Sequence, residues 1–231
     1  MDYDHLVRRL DGLADPTVEA YQNKIISDTC YPMRNIRMPA LRKLAKDVAR
    51  GDWRRTLEQA RWQSFEEVLV IGLAVAYAKE PLAQKLEALR MVLPHLDSWG
   101  MTDSIAPTLK LVPQEGKIGW ELAMECLESD RPYTVRFGVV MLLFHFLDSE
   151  HIPQVAQRLL QIRDDRYYVR MAVSWCFAEM AVHDPRRVME ILADGELDPF
   201  VQDMTIRKMR ESYRISPEMK AAAAVFRRKK R

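Results

Sequence analysis

Two stretches of this chain repeat each other at an offset of 34 residues, DRPYTVRFGVVMLL at 130–143 and DDRYYVRMAVSWCF at 164–177. Asp130 superposes on Asp164, Tyr133 on Tyr167, Val135 on Val169 and Arg136 on Arg170. Small residues recur at nearly the same pitch, since Gly72, Ala106, Gly138 and Ala172 are spaced by 34, 32 and 34. A period of this length holds two helices, a unit too small to bury its own apolar face, so units must stack on one another. One small residue per unit lets neighbouring helices approach closely. The expected fold is an α-solenoid whose concave, binding surface comes from the second helix of each pair.

The intervening sequence is helical in pattern. In 64–78, SFEEVLVIGLAVAYA, the apolar set Phe65, Val68, Leu69, Gly72, Leu73 and Ala76 predicts an amphipathic helix, with Ser64 at its start. Pro16, Pro39, Pro81, Pro132, Pro153, Pro185, Pro199 and Pro217 fall where such segments begin or break. No alternating strands joined by Asn-Gly or Asp-Gly turns occur, so the expected class is all-α. With only 8 glycines among 231 residues, a Gly-rich doubly wound nucleotide fold and a turn-dense sandwich are both disfavoured. One domain is expected over 1–226, followed by a basic tail at 227–231.

Charge and cysteine usage narrow the setting. Residues 207–231 hold ten Lys or Arg against Glu211 and Glu218, while the remainder holds 25 basic and 31 acidic residues. A basic end on an acidic body suggests an anionic partner such as nucleic acid, although a solvated tail has the same composition. No apolar run reaches the ~20 residues of a membrane span, and MDYDHLVRRL carries charges where a signal peptide is apolar. Cys30, Cys126 and Cys176 are scattered without a CxxC, which fits a reducing cytoplasm. The five histidines show no metal-ligand spacing, and there is no P-loop, GxSxG or GxGxxG.

Polar and aromatic residues on the repeat helices are the candidates for chemistry. In DSWGMTDSIAP at 97–107, Trp99 and Asp103 lie four apart and share one helix face. The repeat frame places Arg136 and Trp175 on the corresponding faces of the next two units. Two indoles offer π faces to a cation, a carboxylate stabilises developing positive charge or holds a water, and an arginine grips phosphate. Such a set suits a cationic nucleobase whose glycosidic bond breaks through an oxocarbenium-like state. Alternatively, Trp175 packs in the core between Val173 and Phe177, and Asp103 caps a helix or pairs with a nearby cation.

The residues taken together resemble the AlkD-like family of DNA alkylation repair proteins. The resemblance is carried by YQNK at 21–24, YPMRNIRMPALRKLAK at 31–46, SWGMTDSIAP at 98–107, the Val-Arg helix at 135–143, AVSW at 172–175 and IRKMRESYRI at 206–215. It implies a C-shaped solenoid of HEAT-like repeats clasping double-stranded DNA on its concave face. It also implies a monomeric glycosylase that hydrolyses the N-glycosidic bond of N3- and N7-alkylated purines without metal or organic cofactor. Asp103 would be the catalytic carboxylate, with Trp99 and Trp175 against the lesioned nucleotide. Arg136 would hold a phosphate, and Arg170, Arg166, Tyr21 and Arg207 would also contact DNA. Met171 and Ala178 stand where the family carries basic residues, a loss that Arg170 and Arg166 partly replace. The alternative function is a non-catalytic repeat module that binds nucleic acid or a protein.

Overall fold

The computed structural model describes residues 1–227, so the basic tail expected at 227–231 lies outside the described residues except for Arg227. The described residues form fourteen α-helices and no strand, which meets the all-α expectation. The first seven are α1 (Tyr3–Asp11), α2 (Glu19–Ile25), α3 (Met38–Arg50), α4 (Trp53–Glu58), α5 (Phe65–Tyr77), α6 (Leu82–Val92) and α7 (Trp99–Ile105). The rest are α8 (Gly116–Leu127), α9 (Pro132–His145), α10 (Ile152–Gln161), α11 (Tyr167–His183), α12 (Pro185–Asp194), α13 (Pro199–Glu211) and α14 (Pro217–Ala224). Prolines occupy the first turn of α3, α9, α10, α12, α13 and α14, where the missing N–H would have no intrahelical acceptor.

The alternate helices pack in series. α3 lies against α5, α5 against α7, α7 against α9, α9 against α11 and α11 against α13. The others flank this row, with α6 on α5 and α8, α8 on α9, and α10 and α12 on α11. The repeat partners Val135 and Val169 are both buried, as are Gly138 and Ala172. The pitch in the sequence thus corresponds to consecutive members of the row.

α5 departs from its amphipathic pattern. Every residue from Phe65 to Ala76 is buried, because α1, α3, α4, α6 and α7 all pack around it. Its two first-turn carboxylates go inside with partners. Tyr3 Oη donates to Glu67 Oε2 at 2.6 Å, and the Arg34 backbone N–H donates to Glu66 Oε1 at 2.9 Å. That desolvation and hydrogen bonding push the Tyr3 phenol up to about 12. Glu67 thereby anchors the N-terminal helix to the core, and Glu66 anchors the segment before α3.

Close approach at the small residues is visible at Gly138. A Cβ there would lie 2.9 Å from the Ala123 carbonyl oxygen and 2.9 Å from Cys126 Cβ, both on α8. Gly138→Ala is expected to destabilise the protein by about 1–3 kcal/mol through overpacking. Gly116, in the first turn of α8, has nothing within 4 Å of a built Cβ. Gly116→Ala is therefore expected to stabilise by about 0.5–1 kcal/mol. Urea unfolding midpoints of the two variants, shifted in opposite directions, check the pair.

Candidate active site

The start of α7 is built by Ser98, whose Oγ accepts from the Gly100 N–H at 3.2 Å as the N-cap. One turn on, Asp103 points from α7 toward α9 and meets Arg136. Arg136 Nε donates to Asp103 Oδ1 at 2.9 Å and Nη2 donates to Oδ2 at 2.6 Å, a two-point fork. The guanidinium also donates from Nη1 to the Tyr168 carbonyl on α11 at 2.6 Å. Three consecutive members of the row are thus joined through one side chain. The Arg136 side chain is 7% exposed and that of Asp103 16%, so the pair lies beneath the surface with the carboxylate the more open end. Thr102 Oγ1, lying 3.0 Å from both Asp103 Oδ1 and the Trp99 carbonyl, completes the setting.

Three of the five Arg136 N–H groups are held inside the protein, two by Asp103 and one by the Tyr168 carbonyl, and the side chain is buried. Within the protein the arginine holds the carboxylate. Trp99 is half-buried, and its Nε1–H donates to the Ile25 carbonyl at 3.2 Å, so the indole edge is fixed by the end of α2. Trp175 is also half-buried and packs against the hydrophobic core. It meets the exposed Phe144 edge to face at 5.7 Å, and this ring contact joins α11 to α9 away from the Asp103 fork.

The remaining candidates are dispersed. Tyr21, on α2, is 68% exposed. Arg166 clamps Asp164 and also donates to the Asp130 carbonyl. Arg170 lies over the Phe200 ring at 4.4 Å, with Nη1 3.8 Å from Asp198. Arg207 is exposed and paired with Glu211 one turn on at 3.0 Å. Ala178 is buried, whereas Met171 is half-buried.

Four residues belong to the site without having been singled out. Asp28 accepts from Ser98 Oγ at 2.8 Å, from the Trp99 N–H at 3.0 Å and from Tyr133 Oη at 2.8 Å. Burial and that last bond push the Tyr133 phenol upward. Tyr168 stacks obliquely on Tyr133 at 5.8 Å. Lys208 is half-buried on α13; burial lowers its pKa first, Glu211 opposes this, and among the weaker influences the Arg136 cation lowers it and Asp103 raises it. Helix spacing held a signal for Lys208. Val201 and Thr205, seven and three residues before it and both buried, put it on the inner face, whereas Arg207 pairs outward with Glu211.

Among the described residues no cluster of three or more His, Cys, Asp or Glu is placed to hold a metal, and no helix is long and apolar enough to cross a membrane. A family model described as DNA alkylation repair enzyme matches residues 6–214, so the chain belongs to that family. The match takes in α7, α9, α11 and α13, and with them Asp103, Arg136, Trp175 and Lys208. No curated protein matches the chain.

A buried pair broken on one side leaves an unpaired charge. Arg136→Met is expected to cost about 3–5 kcal/mol, whereas Asp103→Leu/Arg136→Met together should cost markedly less. Denaturation curves of the single and double variants check this.

Proposed function

We propose that this DNA alkylation repair enzyme is a glycosylase that hydrolyses the N-glycosidic bond of cationic N3- or N7-alkylated purines in duplex DNA. The observation that carries the reading is the Asp103 carboxylate, fixed by the Arg136 fork at the more open end of a largely buried pair. Membership of the repair family supports it.

The chemistry follows from the charge of the lesion. An alkylated purine cation leaves as a neutral base, so no general acid has to protonate it. Positive charge moves to C1′ and the ring oxygen as the bond lengthens, and a preorganised carboxylate lowers the energy of that state. A carboxylate has about four acceptor positions. Arg136 takes one on each oxygen of Asp103 and Thr102 lies within reach of a second on Oδ1, which leaves a position on Oδ2 to orient a water toward C1′. The water oxygen forms the new bond to C1′, its proton passes to solvent, and the products are free base and an abasic site.

Trp99 has its N–H occupied and so offers a ring face, which attracts a cation or lies on a sugar. Trp175 and Phe144 together form a second aromatic surface. Lys208 takes the place of Arg136 as the cation available to a flanking phosphate. A curved solenoid that clasps the duplex, acts as a monomer in the cytoplasm and needs no cofactor completes the proposal. The uses of Arg166, Arg170, Arg207 and Tyr21 on DNA are part of it.

The test is incubation with duplex DNA containing N7-methylguanine, scoring free base and abasic sites. Asp103→Asn is expected to lower the single-turnover rate by about 10²–10³-fold while duplex affinity stays level or rises. Affinity should also fall steeply with salt as phosphate contacts release counterions. Release by Asp103→Asn at the parental rate would show the carboxylate to be a structural partner only. No release by the parent would favour a non-catalytic module binding nucleic acid or protein.

A further inference from the structure

The first part of the loop between α2 and α3 is bonded repeatedly to the start of α7. Ile25 accepts from the Trp99 indole at 3.2 Å, and Asp28 takes Ser98 Oγ and the Trp99 N–H. Asp97 in return accepts from Thr29 Oγ1 at 2.8 Å and the Cys30 N–H at 2.7 Å. Gly100 makes the approach possible, because a Cβ there would lie 2.7 Å from Ile26 Cδ1.

Within this loop Asp28 differs from the rest, for it also reaches α9. Its Oδ2 receives both the Trp99 N–H from α7 and the Tyr133 hydroxyl from α9. Asp103 receives Arg136 from α9 in the same way. Trp99 precedes Asp103 by four residues, and Tyr133 precedes Arg136 by three. The two carboxylates therefore tie the same pair of helices at levels about one turn, ~6 Å, apart. A single tie leaves α7 free to rotate or slide against α9. Two fix both its rotation and its register, and with them the direction in which Asp103 points.

We propose that Asp28 is a positioning residue for the base-excision reaction, acting through Trp99 and Tyr133 to hold the Asp103–Arg136 fork in its working geometry. It has no contact with the reacting atoms. The inference rests on the glycosylase reading for its kinetic consequence, but the tie itself has a readout of its own. Ser98 shows how tightly the system is specified. Its hydroxyl donates to Asp28 Oδ1 while its lone pair accepts from the Gly100 N–H, so only one orientation of the O–H satisfies both. The Tyr133 phenol, raised by burial and by Asp28, stays protonated and remains a donor throughout the physiological range.

The experiment uses the full chain with Asp28→Ala and, as a milder change, Tyr133→Phe. The side-chain Nε–H resonance of Arg136, assigned by its absence in Arg136→Lys, reports the fork directly in 15N–1H spectra. Both variants are expected to shift it and to speed its exchange with water. Single-turnover release of N7-methylguanine is expected to fall about 10- to 100-fold in Asp28→Ala, as for a misplacement of about 1 Å, and less in Tyr133→Phe. Duplex affinity should stay within about threefold in both, since neither residue is assigned to phosphate. The double variant should be no slower than Asp28→Ala, because both act through one tie. An Arg136 Nε–H signal unmoved in both variants would overturn the inference whatever the activity. So would parental rates in both, or losses of rate matched by equal losses of affinity. A moved signal with no base release by the parent would uphold the tie and reject the glycosylase reading, so the two failures are distinct.

Discussion

The bidentate bond between Asp103 and Arg136 is the constraint on which the arrangement of the site depends. It joins α7 to α9, and through the Tyr168 carbonyl the same guanidinium reaches α11. Burying a charged pair is seldom the cheapest way to stabilise a helix interface, because desolvation offsets most of the Coulombic gain. An apolar pair of similar volume would hold α7 on α9 at least as well. A carboxylate that is aimed and partly open is something apolar packing cannot supply. On the proposed reading that is the reason for its place, and the layers around it exist to keep its direction fixed.

Both helices that carry the pair are held closely against another neighbour. Gly72 on α5 leaves no space for a Cβ against Ile105 of α7, and Gly138 on α9 leaves none against the flanking α8. Many of the other cations are likewise committed to local carboxylates, Arg166 to Asp164, Arg207 to Glu211 and Arg90 to Glu125. These exposed or half-exposed pairs are weak individually, and a phosphate competes with them at little cost. Arg136 is different, because displacing it would strand a largely buried carboxylate without its partner.

The helical class, the proline-marked starts and the pairing of Val135 with Val169 were legible because periodicity and punctuation are local properties. The shared face of Trp99 and Asp103 was legible for the same reason. What local pattern could not convey was partnership across the row. Arg136 and Arg170 occupy matched places in the repeat, yet one turns back to α7 and the other forward to Asp198. Repeat arithmetic assigns both the same role; the acidic residue that happens to face each one decides otherwise. Asp28 carries no signal at all, since its partners lie 70, 71 and 105 residues away. The start of α5 at Ser64 was legible, but the burial of its whole length was not, because the partners of Glu66 and Glu67, the Arg34 backbone and Tyr3, come from distant segments.

The central claim is that Arg136 works through Asp103 rather than on the DNA. A double-mutant cycle on the rate of base release separates the two possibilities, with Arg136→Lys and Asp103→Asn made singly and together. If Arg136 only holds the carboxylate, each single change slows release and the double variant is no slower than Asp103→Asn alone. Losses that multiply, with affinity for the duplex falling in Arg136→Lys, would place the guanidinium on a phosphate and contradict the account.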